Sequence, residues 1–384
     1  PTARANAVSG WQDVQPSADA SGTRSTTGST DSNATALANS SGERSSGYAY
    51  ATGINQSVSA SGDATGTVDN SGTLNVSALA NAAASSEASG WADAIGVEQY
   101  VSASGDATGT VNNTGSINVS ATGIANSINS AASGHASGYG VGQYIDASGN
   151  ATGTVNNTST STIDVSAFAN ASASAFANAL AYAGGVIQEV SASGAASGTV
   201  SNSGTVNANA TALANSSGER SSGYAFATGI YQDIEQTGFD PASASGPVNN
   251  SGSINVTALA NAEASQEASG WASATGVYQS VSASGDATGT VNNSGSIDVT
   301  GTALAHSDTG SASGTVLVNG IFQDIDSASG NASGTVNNTS TSTVDVTVVA
   351  NATASAFANV VANAIGIDQS VGSPNGNTVS TATV

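Results

Sequence analysis

The 384-residue chain has no cysteine, no methionine and no lysine, and aromatic residues make up only 5% of it. Without cysteine there are no disulfides, no thiolate chemistry and no cysteine-ligated zinc or iron–sulfur site. Four arginines (Arg4, Arg24, Arg44, Arg220) stand against 26 acidic residues, for a formal charge of −22. Nucleic-acid binding is excluded on that balance, because phosphate recognition rests on Lys and Arg. Charged residues are nonetheless only 8% of the chain, so Ser, Thr, Asn and Gly must solvate the surface. No apolar run reaches the ~18 residues of a membrane-spanning helix. The opening "PTARANAVSG" does not read as a signal peptide, so a secreted protein would have lost its targeting segment.

What the chain has instead is repetition. The pattern Gly, Val or Ile, any residue, Gln recurs eight times, ending at Gln56, Gln99, Gln143, Gln188, Gln232, Gln279, Gln323 and Gln369, at separations of 43, 44, 45, 44, 47, 44 and 46 residues. A longer period overlies it: "TALANSSGERSSGYAYATGI" from Thr35 returns with one change from Thr211, and "EASGW" ends at both Trp91 and Trp271. Residues 1–370 therefore read as one continuous array in which block 8–189 is duplicated as 190–370. Residues 371–384 read as a C-terminal tail and a candidate strand for subunit contact.

Gly, Ser, Asn and β-branched residues recur too often for stable helices. From Val165 to Ala183 every second residue is Ala, with Phe168, Asn170, Ser172 and Phe176 between, the period of a strand with two distinct faces. The run is too long for one ordinary strand, so a corner is expected within it; an Ala-rich helix over 168–182 is the competing reading. The predicted fold is all-β, a parallel β-solenoid (β-helix) of eight ~44-residue repeats with about two coils per repeat. About 16 coils of ~22 residues would make a rod about 75 to 80 Å long at ~4.8 Å per stacked strand.

The stretches "GTVNNTGSI" (109–117) and "GTVNNSGSI" (289–297) fit the coil pattern of the β-helical passengers of bacterial surface proteins of the filamentous haemagglutinin and autotransporter type, which this chain resembles. The resemblance implies a secreted adhesin, filament or biofilm matrix component at the cell surface. The chain departs from those proteins in lacking a recognisable secretion domain.

The eight glutamines are expected to point inward and hydrogen-bond along the axis as an amide ladder. The Asn pairs at 112–113, 156–157, 249–250, 292–293 and 337–338 read as turns. Asn33, Asn75, Asn118, Asn255 and Asn351 lie in glycosylation sequons. Asp63, Asp106 and Asp286 occupy equivalent places, read as turn residues in preference to calcium ligands. Glu43 with Arg44, and Glu219 with Arg220, read as solvated surface pairs. Trp91, Trp271, Tyr48, Tyr224 and Tyr139 are placed in one outward column, which either contacts glycans or another rod or shields the sheet.

With no recurring catalytic constellation, no enzymatic activity and no cofactor are expected. The leading reading is an extracellular filament subunit, adhesin stalk or matrix fibre whose partner is itself, head to tail, because neither "PTARANAVSGWQ" nor "SPNGNTVSTATV" reads as a cap. Glycans, other cell-surface components and divalent cations between rods are further candidate partners. The alternatives are a glycan- or ice-binding module, for which a regular TxT array would speak, and a β-helix polysaccharide hydrolase or lyase, for which an acidic cluster in a groove would.

Overall fold

A computed structural model describes residues 1–238, 242–373 and 378–383. No helix occurs among them, and the strands form three parallel sheets of nine, nine and eight strands. The architecture is a parallel β-solenoid. One turn of the chain lays down a long strand (Arg44–Ala60), a short strand (Ala64–Asn70) and an intermediate strand (Thr73–Ala84), and the next turn repeats them. We call the three stacks the long, short and intermediate sheets.

The register corrects the expected coil size. Arg44 pairs with Glu87 and Ala64 with Ala107, so a whole 44-residue repeat is one coil, not two. Nine stacked long strands at ~4.8 Å make a rod about 40 Å long, half the expected length. The two halves of a repeat resemble each other because both alternate apolar and polar residues, yet they lie on different sheets.

The Ala-rich run behaves as its alternation predicts. It splits into strands Thr162–Ala173 and Phe176–Ala192 around a corner at Ser174 and Ala175, and the alanines of both strands face the core. Between the long and intermediate sheets the core is mostly Ala, because the backbones are very close. A Cβ built on Gly90 would lie 2.2 Å from the Ile124 carbonyl oxygen. Alanine is the largest residue most of this arm admits; the larger Val and Ile gather near the corners.

The glycine of the recurring tetrapeptide has a separate task. Ala49 and Ala51 face inward before Gly53, whereas Ile54, Gln56 and Val58 face inward after it, so the strand changes phase at the glycine. Among the described residues no glycine has positive φ, and the reason for the residue is space. A Cβ on Gly53 would sit 2.5 Å from the Gly96 carbonyl oxygen and 2.7 Å from both Leu74 methyls. The same clash recurs up the column at Gly96, Gly140, Gly185, Gly229, Gly276 and Gly320.

Of the C-terminal tail, residues 378–383 form a strand pairing with Ala332–Asn338, so they extend the short sheet of their own stack. Residues 374–377 and 384 lie outside the described residues.

Candidate functional surface

The glutamines lie inward, as their spacing predicts. Gln56, Gln99, Gln143, Gln188, Gln232, Gln279 and Gln323 are fully buried. Each Nε2 donates to the Oε1 of the glutamine one coil earlier, at 2.8 Å for Gln99 to Gln56 and 2.8 Å for Gln143 to Gln99, up to Gln369 donating to Gln323. Most Nε2 groups also donate across the core to the short sheet, as Gln99 does to the Thr110 carbonyl at 3.1 Å. The ladder has a ninth member, Gln12, which accepts from Gln56 at 2.7 Å. Its tetrapeptide reads Ser-Gly-Trp-Gln, with Ser9 in place of the glycine and Gly10 opposite Ile54, so it does not fit the recurring pattern.

The Asn pairs form a second buried ladder instead of turns. The second Asn of each pair, and Asn70 and Asn202 at the equivalent places, end a short strand and point inward: Asn70 Nδ2 donates to Asn113 Oδ1, Asn113 to Asn157, and so on through Asn202, Asn250 and Asn293 to Asn338, at 2.7 to 2.8 Å. This ladder donates towards the C-terminal coils and the glutamine ladder towards the N-terminal ones, so the two rows of amide dipoles oppose each other. Thr26 stands where an Asn would begin the row, leaving Asn70 Oδ1 buried with no hydrogen-bond partner.

Outward amides stack too. Asn75 donates to Asp31, Asn118 to Asn75, and Asn255 to Asn207, each at 2.8 to 2.9 Å. These three sequon residues are half-buried and commit the Nδ2 that a glycan would need; Asn33 and Asn351 are exposed on the outermost coils. At the first corner the carboxylates cap backbone: Asp63 Oδ1 accepts the Asp106 N–H at 2.9 Å, Asp106 Oδ1 the Asn150 N–H, and Asp286 Oδ1 the Asn331 N–H. An Asn serves equally well there, which is why Asn150 replaces Asp. Among the described residues no three His, Asp or Glu side chains come together as a metal site.

All three tryptophans and all nine tyrosines lie on the outer face of the long sheet. One column runs Arg4, Tyr48, Trp91, His135, Leu180, Tyr224, Trp271. Tyr139 is not in it: it pairs with Ile95 and Gly184, four residues further along the strand, and the place assigned to it belongs to His135. The His135 ring packs 3.9 Å from the Trp91 ring, and burial pushes its pKa down. Other rings stack along the axis, Tyr100 on Tyr144 at 4.9 Å, and Tyr231 on Tyr278 and Tyr278 on Phe322 at 4.9 and 5.2 Å. Stacking hides ring faces and leaves edges and hydroxyls at the surface.

Acids sit among these rings. Burial raises the Asp93 pKa although the Trp91 indole donates to its carboxylate at 2.7 Å. Burial likewise raises Glu189, with Asp233 one coil on adding to it. Burial, reinforced by neighbouring carboxylates, pushes Tyr144 and Tyr231 up to about 12.

The basic residues at the sheet margin pair differently from the expectation. Arg44 bonds Glu87 of the next coil at 2.8 Å, and Arg220 bonds Glu267 at 2.7 Å; neither pairs with the Glu preceding it. Adjacent residues on a strand point to opposite sides, whereas the equivalent position one coil on is the true neighbour. Beside the ion pairs run two shallow clefts, one from Arg44 and Glu87 past Phe176 to Arg220, the other from Arg220 and Glu267 to Phe357. No protein family, curated protein or solved structure matches this chain.

Proposed function

We propose that this chain is an extracellular structural rod of the kind its resemblance to filamentous haemagglutinin-type β-helices implies, serving as filament subunit, adhesin stalk or matrix fibre. The observation that carries the reading is the pair of buried amide ladders. They run through nearly every coil and fix the stacking register, so one plan is repeated along the rod. Among the described residues the outermost strands of all three sheets carry no further strand, so another copy, or further coils, can continue the stack head to tail. Electron microscopy of the concentrated protein tests this: the expectation is rods in multiples of about 40 Å. Uniform single particles at every concentration would overturn head-to-tail assembly.

A second reading, ice binding, is favoured by one observation. On the outer face of the short sheet Thr65 and Thr67, Thr108 and Thr110, and Thr152 and Thr154 form three stacked Thr-x-Thr ranks, and Thr288 and Thr290 form a separate one. Ser197, Ser245, Ser333 and Pro247 interrupt the array. Thermal hysteresis separates the readings: its presence supports the array as a site, and its absence removes it.

A further inference from the structure

The margin of the long sheet, where each long strand begins, carries a column that reads Arg44, Glu87, Ala131, Phe176, Arg220, Glu267 on six successive coils. We propose that this margin is a lateral docking surface for a second, antiparallel copy of this chain. The proposal does not depend on head-to-tail assembly.

The first argument is self-complementarity. A two-fold axis between Ala131 and Phe176 sets Phe176 of one copy over Ala131 of the other, Glu87 opposite Arg220, and Arg44 opposite Glu267. All six positions then meet a complementary partner, knob to hole and cation to anion, twice over, as an isologous contact requires. A parallel in-register contact would instead set Arg44 on Arg44 and Glu87 on Glu87. Each existing ion pair, Arg44 with Glu87 and Arg220 with Glu267, would face the other's mirror image, giving two four-charge squares of alternating sign.

The second argument is accessibility and cost. Phe176 is 43% exposed, an uncommon state for a phenylalanine in a chain with six. Two of the chain's four basic residues sit on this column although its net charge is −22. On its strand side the surface is small and neutral where the copies would meet: Ser46 would face Ser269, Ser89 would face Ser222, and Ser133 would face Asn178; on its loop side lie the exposed Glu43 and Glu219.

The third argument comes from the internal duplication, which allows two copies of one surface to be compared. Across the two blocks Arg44, Glu87 and Phe176 return as Arg220, Glu267 and Phe357, and Ala131 returns as the equally small Ser311. The residues beside them, Ser46, Ser89, Ser133 and Asn178, return unchanged at 222, 269, 313 and 359. On the same face the outward residues flanking the glutamines have all changed, for instance Glu98 to Tyr278 and Tyr144 to Asp324. The margin and the residues beside it have been retained while the rows flanking the glutamines drifted.

Cross-linking tests orientation and register directly, because the chain has no cysteine of its own. Oxidising an equal mixture of Ser46→Cys and Ser269→Cys proteins should give a disulfide-linked dimer. Ser46→Cys alone should not, since in the proposed pair the two residues 46 lie five coils, about 24 Å, apart. Charge reversal tests the chemistry. Arg44→Glu/Arg220→Glu and Glu87→Arg/Glu267→Arg should each weaken self-association at least about tenfold in sedimentation, and mixing the two should restore it. These are exposed side chains, so unchanged circular dichroism accompanies the expected result. Lateral pairing doubles the mass without lengthening the particle in small-angle scattering, whereas head-to-tail growth lengthens it, so the two ideas fail separately. A wild-type chain that stays monomeric laterally, or a Ser46→Cys protein that cross-links alone as well as in the mixture, overturns the proposal.

Discussion

At the scale of single residues, the buried amides are the most demanding feature of the chain. An unpartnered buried polar group costs roughly 1 to 3 kcal/mol, and Gln188 holds two neighbours in place. It donates to Gln143 Oε1 and to the Thr199 carbonyl and accepts from Gln232. Gln188→Leu should therefore lower stability by about 3 kcal/mol in urea unfolding, more than an outward Asn156→Ser change that keeps a hydroxyl in the row. The tyrosines provide a pH test. Burial holds Tyr144 and Tyr231 at about 12, above the ordinary 10.0, so the folded state binds more protons than the unfolded one between those values. Their contribution to stability is complete below pH 10 and is lost as the pH rises towards 12. Absorbance at 295 nm should show a late-ionising fraction of the tyrosines, and the unfolding midpoint should fall over the same interval.

At the scale of the strand, the glycine column decides whether a coil can bend and still stack. Gly229→Ala places a methyl 2.6 Å from the Gly276 carbonyl oxygen and 2.4 Å from an Ile254 methyl, with backbone on one side that cannot move aside. It should cost about 3 kcal/mol or more, measured by thermal unfolding. Gly366→Ala is the matched control, since nothing lies within 4 Å of its Cβ position and no positive φ forbids the change. It should be neutral or stabilise by a few tenths of a kcal/mol, by restricting the unfolded chain. Equal losses at both sites would refute the steric account of the column.

At the scale of the whole molecule, charge governs how rods approach each other. A formal charge of −22 on a rod about 40 Å long repels like rods at low salt, within a Debye length of ~10 Å at 0.1 M. Carboxylates also stack on neighbouring coils, as Asp298 does on Asp345 and Glu189 on Asp233. Lowering the pH towards the carboxylate range, or adding millimolar calcium, should promote bundling seen as increased light scattering. Bundling that ignores both variables would rule out charge repulsion as the control. Such bundles are larger than the specific lateral pair, which salt should weaken.

Much of this was legible in the sequence alone. Alternation of Ala with polar residues determined that the chain is all strand, and the period of the tetrapeptide determined the ladder, because stacked β-coils place equivalent residues on top of each other. The duplication was equally plain. What the sequence did not determine was how many coils a repeat spans, because both halves of a repeat share one alternating pattern and only the sheet-to-sheet contacts tell them apart. The same limit hid the second Asn ladder: an Asn pair has the chemistry of a turn, and only strand phase sends its second member into the core. It also placed Tyr139 with the Trp91 column, where a few residues of shift along a 17-residue strand move a side chain to another row. Neighbours in a solenoid are about 44 residues apart in sequence, so which side chain meets which is settled by register in three dimensions. The margin of alternating Arg, Glu and Phe exists only there.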